Sequence, residues 1–572
     1  MTAREPRRPA APRPCVRVNQ LGYLPGSPKH AVWVTEDTEP ASFAVYTADG
    51  SAVLRGSSRP WPRRPEPTSG QSVHCIDLTA LTAPGSGYRV LVGGDRSHAF
   101  RVAADLYDGL SRDAFRLFYL LRSGCPIDEA RAPGYGRPAG HAGEPPNRGD
   151  TAVPCWSGPD AARLYPGWRA TGVFDVSGGW YDAGDYGKYV VSGGIALWQL
   201  LNLLRLRQSV PAAAEVVEEC RWQLDWLLRM QVPHGHPLAG MAFHRVHGVA
   251  WSPLPGWAHE DPTTRVLHRP STAATLHLAA VAAKGAGLLR DSDEAYAERL
   301  LRAARTAYRA ARAHPDLIAP DDEGRYGGGP YGDVRLADDF YWAAVELWLT
   351  TGEDGYRDAL TESPEHTADV FDLDGFDFDR VAAPARLDLA TGPRRLPEHD
   401  RVTGSIRDAA DRLLDLQRRQ PWGQPYAPPA GWQWGSNGRI LNNLVVLAAA
   451  HELTGDRRFH DGVAIGVDYL LGRNALGQSY VTGYGADATE HLRTRQFGHD
   501  LDPALPAPPP GALAGGPNSV HTPGFPDDPR LDGLPPQCRY LDEPTSETTN
   551  DICIRWNAPL AFISAYLSRT GI

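Results

Sequence analysis

The sequence predicts a multidomain chain in which a small β-sandwich precedes an all-α toroid of paired helices. Three observations predict it. Short runs of alternating apolar and polar residues fill positions 15–102, apolar residues recur at three- and four-residue spacing from Leu106 onward, and no strand-like runs separate the helical segments. At 572 residues the chain is also too long for one ordinary core.

The first domain, residues 14–105, is read from "PCVRVNQLGYL", "HAVWVTE", "SFAVYTADG", "GYRVLVGG" and "SHAFRVA". These are strand-length runs bounded by turn signals such as Asp49-Gly50. The second domain, residues 106–572, carries helical periodicity in ten segments, among them "GIALWQLLNLLRLR", "STAATLHLAAVAAKGAGLL" and "APLAFISAYLSR". Between them lie stretches rich in Gly, Pro and aromatics at 125–179, 362–402 and 483–550. Connections that long are uncommon in a compact domain unless they carry function, which places the site on them.

Bulk properties narrow the function classes. A net charge of −10 gives no reason to expect nucleic acid or an anionic membrane as partner, and no uninterrupted apolar run approaches the roughly 20 residues of a bilayer span. The cysteines at 15, 75, 125, 155, 220, 538 and 553 are odd in number and irregularly spaced, as expected of free thiols in a reducing compartment. The opening "MTAREPRRPAAPRPC" is followed by no apolar stretch of leader length, so a cytoplasmic location is expected, or a secreted one if the start codon is misassigned; a monomer is expected.

Four motifs carry chemistry. "SGGWYDAGDYGKYV" sets Asp182 and Asp185 three residues apart among Trp180, Tyr181, Tyr186 and Tyr189. Taken alone, Asp185 reads as the N-cap of a helix beginning near Tyr186. A carboxylate pair walled by aromatics is also what a sugar cleft needs, since an aromatic face complements the C–H face of a pyranose. The others are "GWQWGSNGRILNN" with the downstream "HLR" of His491 and Arg493, "GALAGGPN", and "YLDEPTSETTNDICIRWNAPL".

In this order the motifs resemble glycoside hydrolase family 9, the inverting cellulase family, in the variant whose (α/α)6 barrel follows an immunoglobulin-like domain. The resemblance runs from "VRVNQLGYLPGSPKHAVW" to "WNAPLAFISAYL". It implies hydrolysis of β-1,4-glucosidic bonds in cellulose-type glucans or their fragments, with no cofactor required for the reaction. Asp185 would be the base, Asp182 would hold and polarise the water, and Asp542 and His491 would belong to the catalytic apparatus. Arg493 would donate to sugar hydroxyls, and Trp180, Tyr181, Trp432 and Trp434 would be stacking platforms, although core packing serves any one Trp equally well.

Two departures from the family pattern stand out. The acid position, usually Glu in "TNE", is Asp551 in "TND", and the aromatic position before it is Glu547. An Asp is one methylene shorter, so three readings stay open. Asp551 acts from an adjusted loop, Glu547 takes over, or the protein binds sugar without cleaving it well. Exo action on short imported oligosaccharides, and β-linked amino sugars paired with Glu543 and Glu547, are further alternatives. The second departure concerns metal. Relatives often hold zinc with two Cys and two His; Cys125 and Cys155 are kept, but Trp156 and Tyr181 stand at the His positions, so zinc is not expected. A calcium site is frequent in the family, and "GGGPYGDVRLADDF" offers Asp333, Asp338 and Asp339, of which the last two serve equally well as caps for the helix that follows.

Overall fold

The computed structural model describes residues 13–206 and 211–570. The sandwich is built from β1 (Val16–Arg17), β2 (Gly22–Tyr23), β3 (His30–Val34), β4 (Ser42–Tyr46), β5 (Ala52–Ser57), β6 (Arg59–Pro60), β7 (Val73–Asp77), β8 (Gly85–Val92), β9 (Asp95–Arg96) and β10 (Phe100–Val102). One sheet runs β1-β3-β7-β6 and the other β2-β10-β8-β4-β5, with β9 folded back on β8. The Asp49-Gly50 turn joins β4 to β5, with Gly50 at φ 86°. Alternate residues of facing strands, Ala31 and Trp33 against Val45, Val90 and Phe100, form a separate sandwich core.

The helical domain contains α1 (Asp108–Leu120), α2 (Pro159–Leu164), α3 (Val190–Leu203), α4 (Ala213–Met230), α5 (Thr272–Leu289), α6 (Glu294–Ala313), α7 (Ala337–Thr351), α8 (Asp354–Glu362), α9 (Ala382–Thr391), α10 (His399–Arg418), α11 (Ser436–Thr454), α12 (Arg457–Leu470), α13 (Glu547–Asn550) and α14 (Ile554–Thr570). Contacts run α3 to α5, α5 to α7, α7 to α9, α9 to α11, α11 to α14 and α14 back to α3, which closes an inner ring. Each inner helix packs an outer one, respectively α4, α6, α8, α10, α12 and α1. The toroid of paired helices is therefore complete. Sequence texture follows position. Every residue of α3 is buried, whereas α6, α10 and α12 bury one stripe, as a helix wet on one side must. Helix α5 is apolar and long enough to cross a bilayer, with mean hydropathy 1.3, but it lies in the inner ring with 89% of it buried.

Four helices escape the sequence periodicity: α2 and α13, each too short to show a period and lying in the predicted 125–179 and 483–550 loops, together with α8 and α9, of which α9 falls inside the predicted 362–402 loop. Its pattern is broken by Arg386 and Asp388, both buried. The Arg386 guanidinium satisfies the carbonyls of Glu365 and His366 at 2.7 and 3.0 Å, and Asp388 pairs with Lys284 at 2.7 Å. Buried charges that find partners elsewhere in the fold look like surface residues in a linear pattern.

"NQLGY" docks the two domains. Asn19 Nδ2 donates to Asp468 Oδ1 at 2.8 Å, Gln20 Nε2 donates to the Gly477 carbonyl at 2.9 Å, and Gln20 Oε1 accepts from the Asp487 amide at 2.8 Å. Burial raises the Asp468 carboxyl to about 7, against the opposing pull of Arg473 and the Asn19 amide. Asn19→Ala is expected to lower stability by about 1–3 kcal/mol, because a buried carboxylate loses a donor. The donor favours the ionised form, so the loss should grow as pH rises through 7. Thermal melts at acidic and alkaline pH check it; an equal shift at both would show that Asn19 acts only through packing.

Candidate active site

The loops that precede the inner helices meet over one end of the toroid. Asp185 and Tyr189 come before α3, Trp251 before α5, Tyr331 before α7, Phe378 before α9, Trp434 before α11 and Asp551 before α14, and all line one cavity of about 230 Å³. Inner-helix N-termini thus point toward the site and favour negative charge there. This single arrangement explains why the functional residues are scattered over the whole domain.

All four motifs are stitched together by backbone hydrogen bonds around that cavity. The Arg495 amide donates to the Gly184 carbonyl at 3.0 Å, the Arg493 amide to Asn550 at 3.0 Å, the Ile554 amide to Asp182 at 2.8 Å, and the Gly515 amide to Asp551 at 2.8 Å. The packing leaves no room at Gly184, where a Cβ would sit 2.2 Å from the Arg493 carbonyl oxygen and 2.7 Å from Asp551 Oδ1. That close approach puts the residue beside Asp185 in contact with Asp551. The Gly184 amide donates to Asp551 Oδ1 at 3.1 Å.

The carboxyls differ in setting. Asp182 is fully buried and accepts from the Tyr331 hydroxyl at 2.5 Å. Burial pushes its carboxyl up to about 6, with the hydroxyls of Ser192 and Tyr331 opposing and the charge of Asp185 reinforcing the rise. Tyr331 holds φ 47°, a left-handed conformation unusual for a bulky residue, and strain of that kind gathers at functional sites. Asp185 Oδ2 accepts from the Gly187 amide at 2.8 Å and from the Tyr189 hydroxyl at 3.2 Å. It is not the N-cap of α3. That helix starts at Val190 after Tyr189, because Lys188 and Tyr189 first pair as a short strand with Arg245 and Val246. Removal from water drives the Asp551 carboxyl well above the usual range, against the pull of Arg493 and aided by Glu547 and Asp185. Its setting favours a proton on it.

Other predicted residues move to different roles. Trp180 is buried against Phe118, and its indole donates to Glu219 at 2.7 Å, so it offers no face to a sugar. Tyr181 is buried and hydrogen bonds His141 at 2.7 Å, and Trp432 packs on Tyr426 and Tyr469 inside the core. Trp434 alone of these lines the cavity. Asp542 lies outside it; its two oxygens accept from the Thr489 hydroxyl at 2.6 Å, from the Glu490 amide at 2.9 Å and from the His491 amide at 3.0 Å, which makes it a positioning residue for the "HLR" loop. The His491 ring also lies outside the cavity lining and pairs with Asp500. Arg493 reaches the cavity and pairs with Glu547 at 3.1 Å. Glu543 is held by Arg530 at 2.8 Å away from the cavity, so neither acidic residue proposed for an amino sugar is uncommitted.

Cavity residues that the sequence reading missed are Trp251, Tyr331, Phe378, Phe525, Arg555 and Trp556. Arg555 pairs with Asp377 and lies 5.7, 5.3 and 4.9 Å from the rings of Tyr331, Phe378 and Trp556.

At the positions for which the resemblance implied a zinc site, Trp156 packs on His268 and Tyr326 with ring centroids 4.7 and 4.9 Å apart, and Cys155 Sγ donates to the Thr171 carbonyl at 3.4 Å. All seven cysteines are free. Among the described residues no group of three or more His, Cys, Asp or Glu side chains is placed to hold a metal ion. Calcium draws on backbone carbonyls as well, and the acidic residues before and within the first turn of α7 suit it. Asp339 is fully buried with neither oxygen hydrogen bonded, and Asp333 Oδ2 is likewise unpartnered. His277 lies 3.2 Å from Asp339 without hydrogen-bond alignment, and burial lowers its pKa to about 4, so it does not supply a cation. Asp338 is not a cap either. Leu336 occupies the N-cap, and Asp338 Oδ2 accepts instead from the Val381 amide at 2.8 Å.

A toroid whose mouth brings two settings of carboxyl together between aromatic walls has the anatomy of a glycoside hydrolase. The chain belongs to glycosyl hydrolase family 9: the sequence profile of that family matches residues 107–564, and that of the cellulase N-terminal ig-like domain matches residues 11–97. The sandwich is accordingly immunoglobulin-like and the toroid an (α/α)6 barrel. Endoglucanase C of Cellulomonas fimi is 48% identical over 98% of this chain, which spans 52% of that protein's length. Cellulose 1,4-beta-cellobiosidase of Acetivibrio thermocellus is 37% identical over 98% of this chain and 68% of its own length. Among solved structures, a metagenome-derived glycoside hydrolase family 9 endoglucanase superposes with TM-score 0.82 at 30% identity, covering 97% of this chain and 98% of its own. The chain thus spans about half the length of the first of these relatives.

Proposed function

We propose that this chain hydrolyses β-1,4-glucosidic bonds in cellulose-type glucans or cello-oligosaccharides by single displacement with inversion. Asp185 takes a proton from water, Asp182 holds and polarises that water, and Asp551 protonates the departing sugar oxygen. The observation that carries the reading is the contact between Asp551 and the amide of Gly184, which brings an acid biased toward its protonated form next to the loop that presents Asp185. An inverting enzyme needs that division of labour, with a charged base on one side of the bond and a proton donor on the other. The names of the relatives, an endoglucanase and a cellobiosidase, support the substrate class. Arg493, Trp434 and Trp556 would hold the sugar through hydroxyl contacts and ring stacking.

The test is to incubate purified protein with cellopentaose and follow the anomeric protons by NMR. The α-anomer should appear first and mutarotate. Initial release of the β-anomer would overturn inversion, and absence of turnover would overturn the hydrolase reading.

Of the three acidic residues, Asp333 and Asp339 keep unpartnered oxygens, and calcium bound by them with nearby carbonyls, Asp338 lying beside, would serve stability. Burial and mutual repulsion raise Asp333 to about 8, burial raises Asp338 to about 6, and burial and Asp338 raise Asp339 well above its ordinary value. Carboxyls raised in the folded state stabilise it only while protonated, so the metal-free protein should lose stability as pH rises through that range. Calcium replaces the protons. Its stabilisation, read as the rise in Tm on adding calcium to chelator-treated protein, should therefore be larger at pH 8 than at pH 5. An equal rise at both, or none, would remove the site.

A further inference from the structure

Beyond the "GGPN" motif, residues 520–528 cross the mouth of the cavity. They leave one wall beside Trp432, whose amide donates to Ser519 Oγ at 2.9 Å and whose carbonyl accepts from the Ser519 amide at 2.7 Å. His521 and Asp527 tie the two limbs of the crossing at 2.8 Å, and Arg530 anchors its end to Asp528 and Glu543 at 2.6 and 2.8 Å. The tip rests on the opposite wall. Gly524, at φ 84°, lies so close to Glu323 that a Cβ would stand 1.9 Å from its carbonyl oxygen. Glu323 itself holds φ 54°, a conformation uncommon for a residue other than Gly.

Phe525 follows that tip and turns into the cavity. Only 7% exposed, its ring lies 4.9 Å from Trp434 on one wall and 6.3 Å from Trp251 on the other, edge-on to both. Trp251 is in turn fixed by its indole, which donates to the Gly324 carbonyl at 2.9 Å. A continuous line of aromatic rings therefore spans the cavity from wall to wall. An enzyme that cuts a polymer internally needs its cleft open at both ends, because the chain must lie through it.

We infer that residues 520–528, with Phe525 as the plug, form a strap that closes one arm of the cleft and makes the enzyme release short products from chain ends. This rests on the hydrolase reading above. Phe525, Trp251 and Trp434 together end the row of sugar positions. The strap is joined to the opposite wall by packing at Gly524 and Phe525, so its removal should open the cleft without disturbing Asp185 or Asp551.

The experiment compares the wild-type protein with Phe525→Ala and with a variant whose residues 521–527 are replaced by two glycines. Each is assayed on carboxymethylcellulose for viscosity loss per reducing end formed, and on cellohexaose for product lengths. The wild-type protein should form reducing ends with little loss of viscosity and give one dominant short product. Both variants should raise the viscosity loss per reducing end by about tenfold, the discrimination available to one well-filled apolar position. Wild-type protein that thins the polymer as steeply as the shortened variant overturns the strap and leaves the hydrolase reading standing. No cleavage of cellohexaose by any of the three overturns both. Because the shortened variant and the wild-type ratio are independent of Phe525→Ala, a folding failure of that substitution does not protect the proposal.

Discussion

Asp185→Asn is expected to lower kcat on cellopentaose by about 10²- to 10⁴-fold, the range a positioned general base supplies, with KM little changed. The neutral amide keeps the shape of the side chain and so leaves the Gly187 and Tyr189 contacts with an acceptor oxygen. What it loses is the ability to take a proton from water. The loss should be the same for any leaving group, because water attack is impaired whichever sugar departs. Thermal melting of the variant should match the wild-type protein, which separates a chemical defect from a structural one. A variant that retains kcat would transfer the base role to Asp182.

Asp551→Asn is expected to lose a similar factor on cello-oligosaccharides and very little on dinitrophenyl β-cellobioside. A dinitrophenolate departs without a proton, so an enzyme lacking only its acid still turns such a substrate over. On the proposed mechanism the same residue would set the alkaline side of the pH profile. Its carboxyl is raised well above the ordinary range by burial, so as the proposed acid it would hold its proton at neutral pH, and activity should fall as pH climbs through that raised value. The acid side should fall below about 6, where buried Asp182 takes up a proton and no longer polarises water as an anion. Asp551→Asn should flatten the alkaline limb on the activated substrate. Glu547→Gln is the necessary control, because Glu547 lines the same cavity. Its carboxylate is paired with Arg493 at 3.1 Å, so its loss should weaken sugar binding through Arg493 and raise KM. If Glu547→Gln shows the leaving-group signature and Asp551→Asn does not, the acid is Glu547.

A shortened side chain at the proposed acid position has a geometric rationale in this fold. One methylene is worth enough distance to cost about 100-fold if nothing compensates. The loop of Asp551 is pinned by the amide of Gly515 on its carbonyl and by Gly184 on its carboxyl, and Gly184 admits that approach only because it lacks a Cβ. The backbone of the acid loop therefore lies directly against the base loop.

What the sequence alone determines about this protein is everything that depends on neighbours along the chain. Alternation gave away the sandwich, and three- and four-residue spacing marked most of the long helices of both rings, because each pattern is carried by residues of a single element. The motif around Asp182 and Asp185, and the loop of Asp551, were legible for the same reason: their residues lie within a turn or two of one another. Only the tertiary structure decided what is assembled across the ring. The helix α9 was hidden because Arg386 and Asp388 are buried against partners on other segments. Trp180, Tyr181 and Trp432 lie in motifs that touch the site, yet they face the core, since a loop has no fixed period from which the sequence could tell which way each side chain points. Conversely Trp251, Phe378 and Phe525 belong to no local pattern, and Tyr331 lies in the "GGGPYGDVRLADDF" segment, which the sequence marks only by its acidic residues. They share a cavity because each sits on a connection at the same rim, and closure of the ring through α14 and α3 is what turns those distant connections into one site.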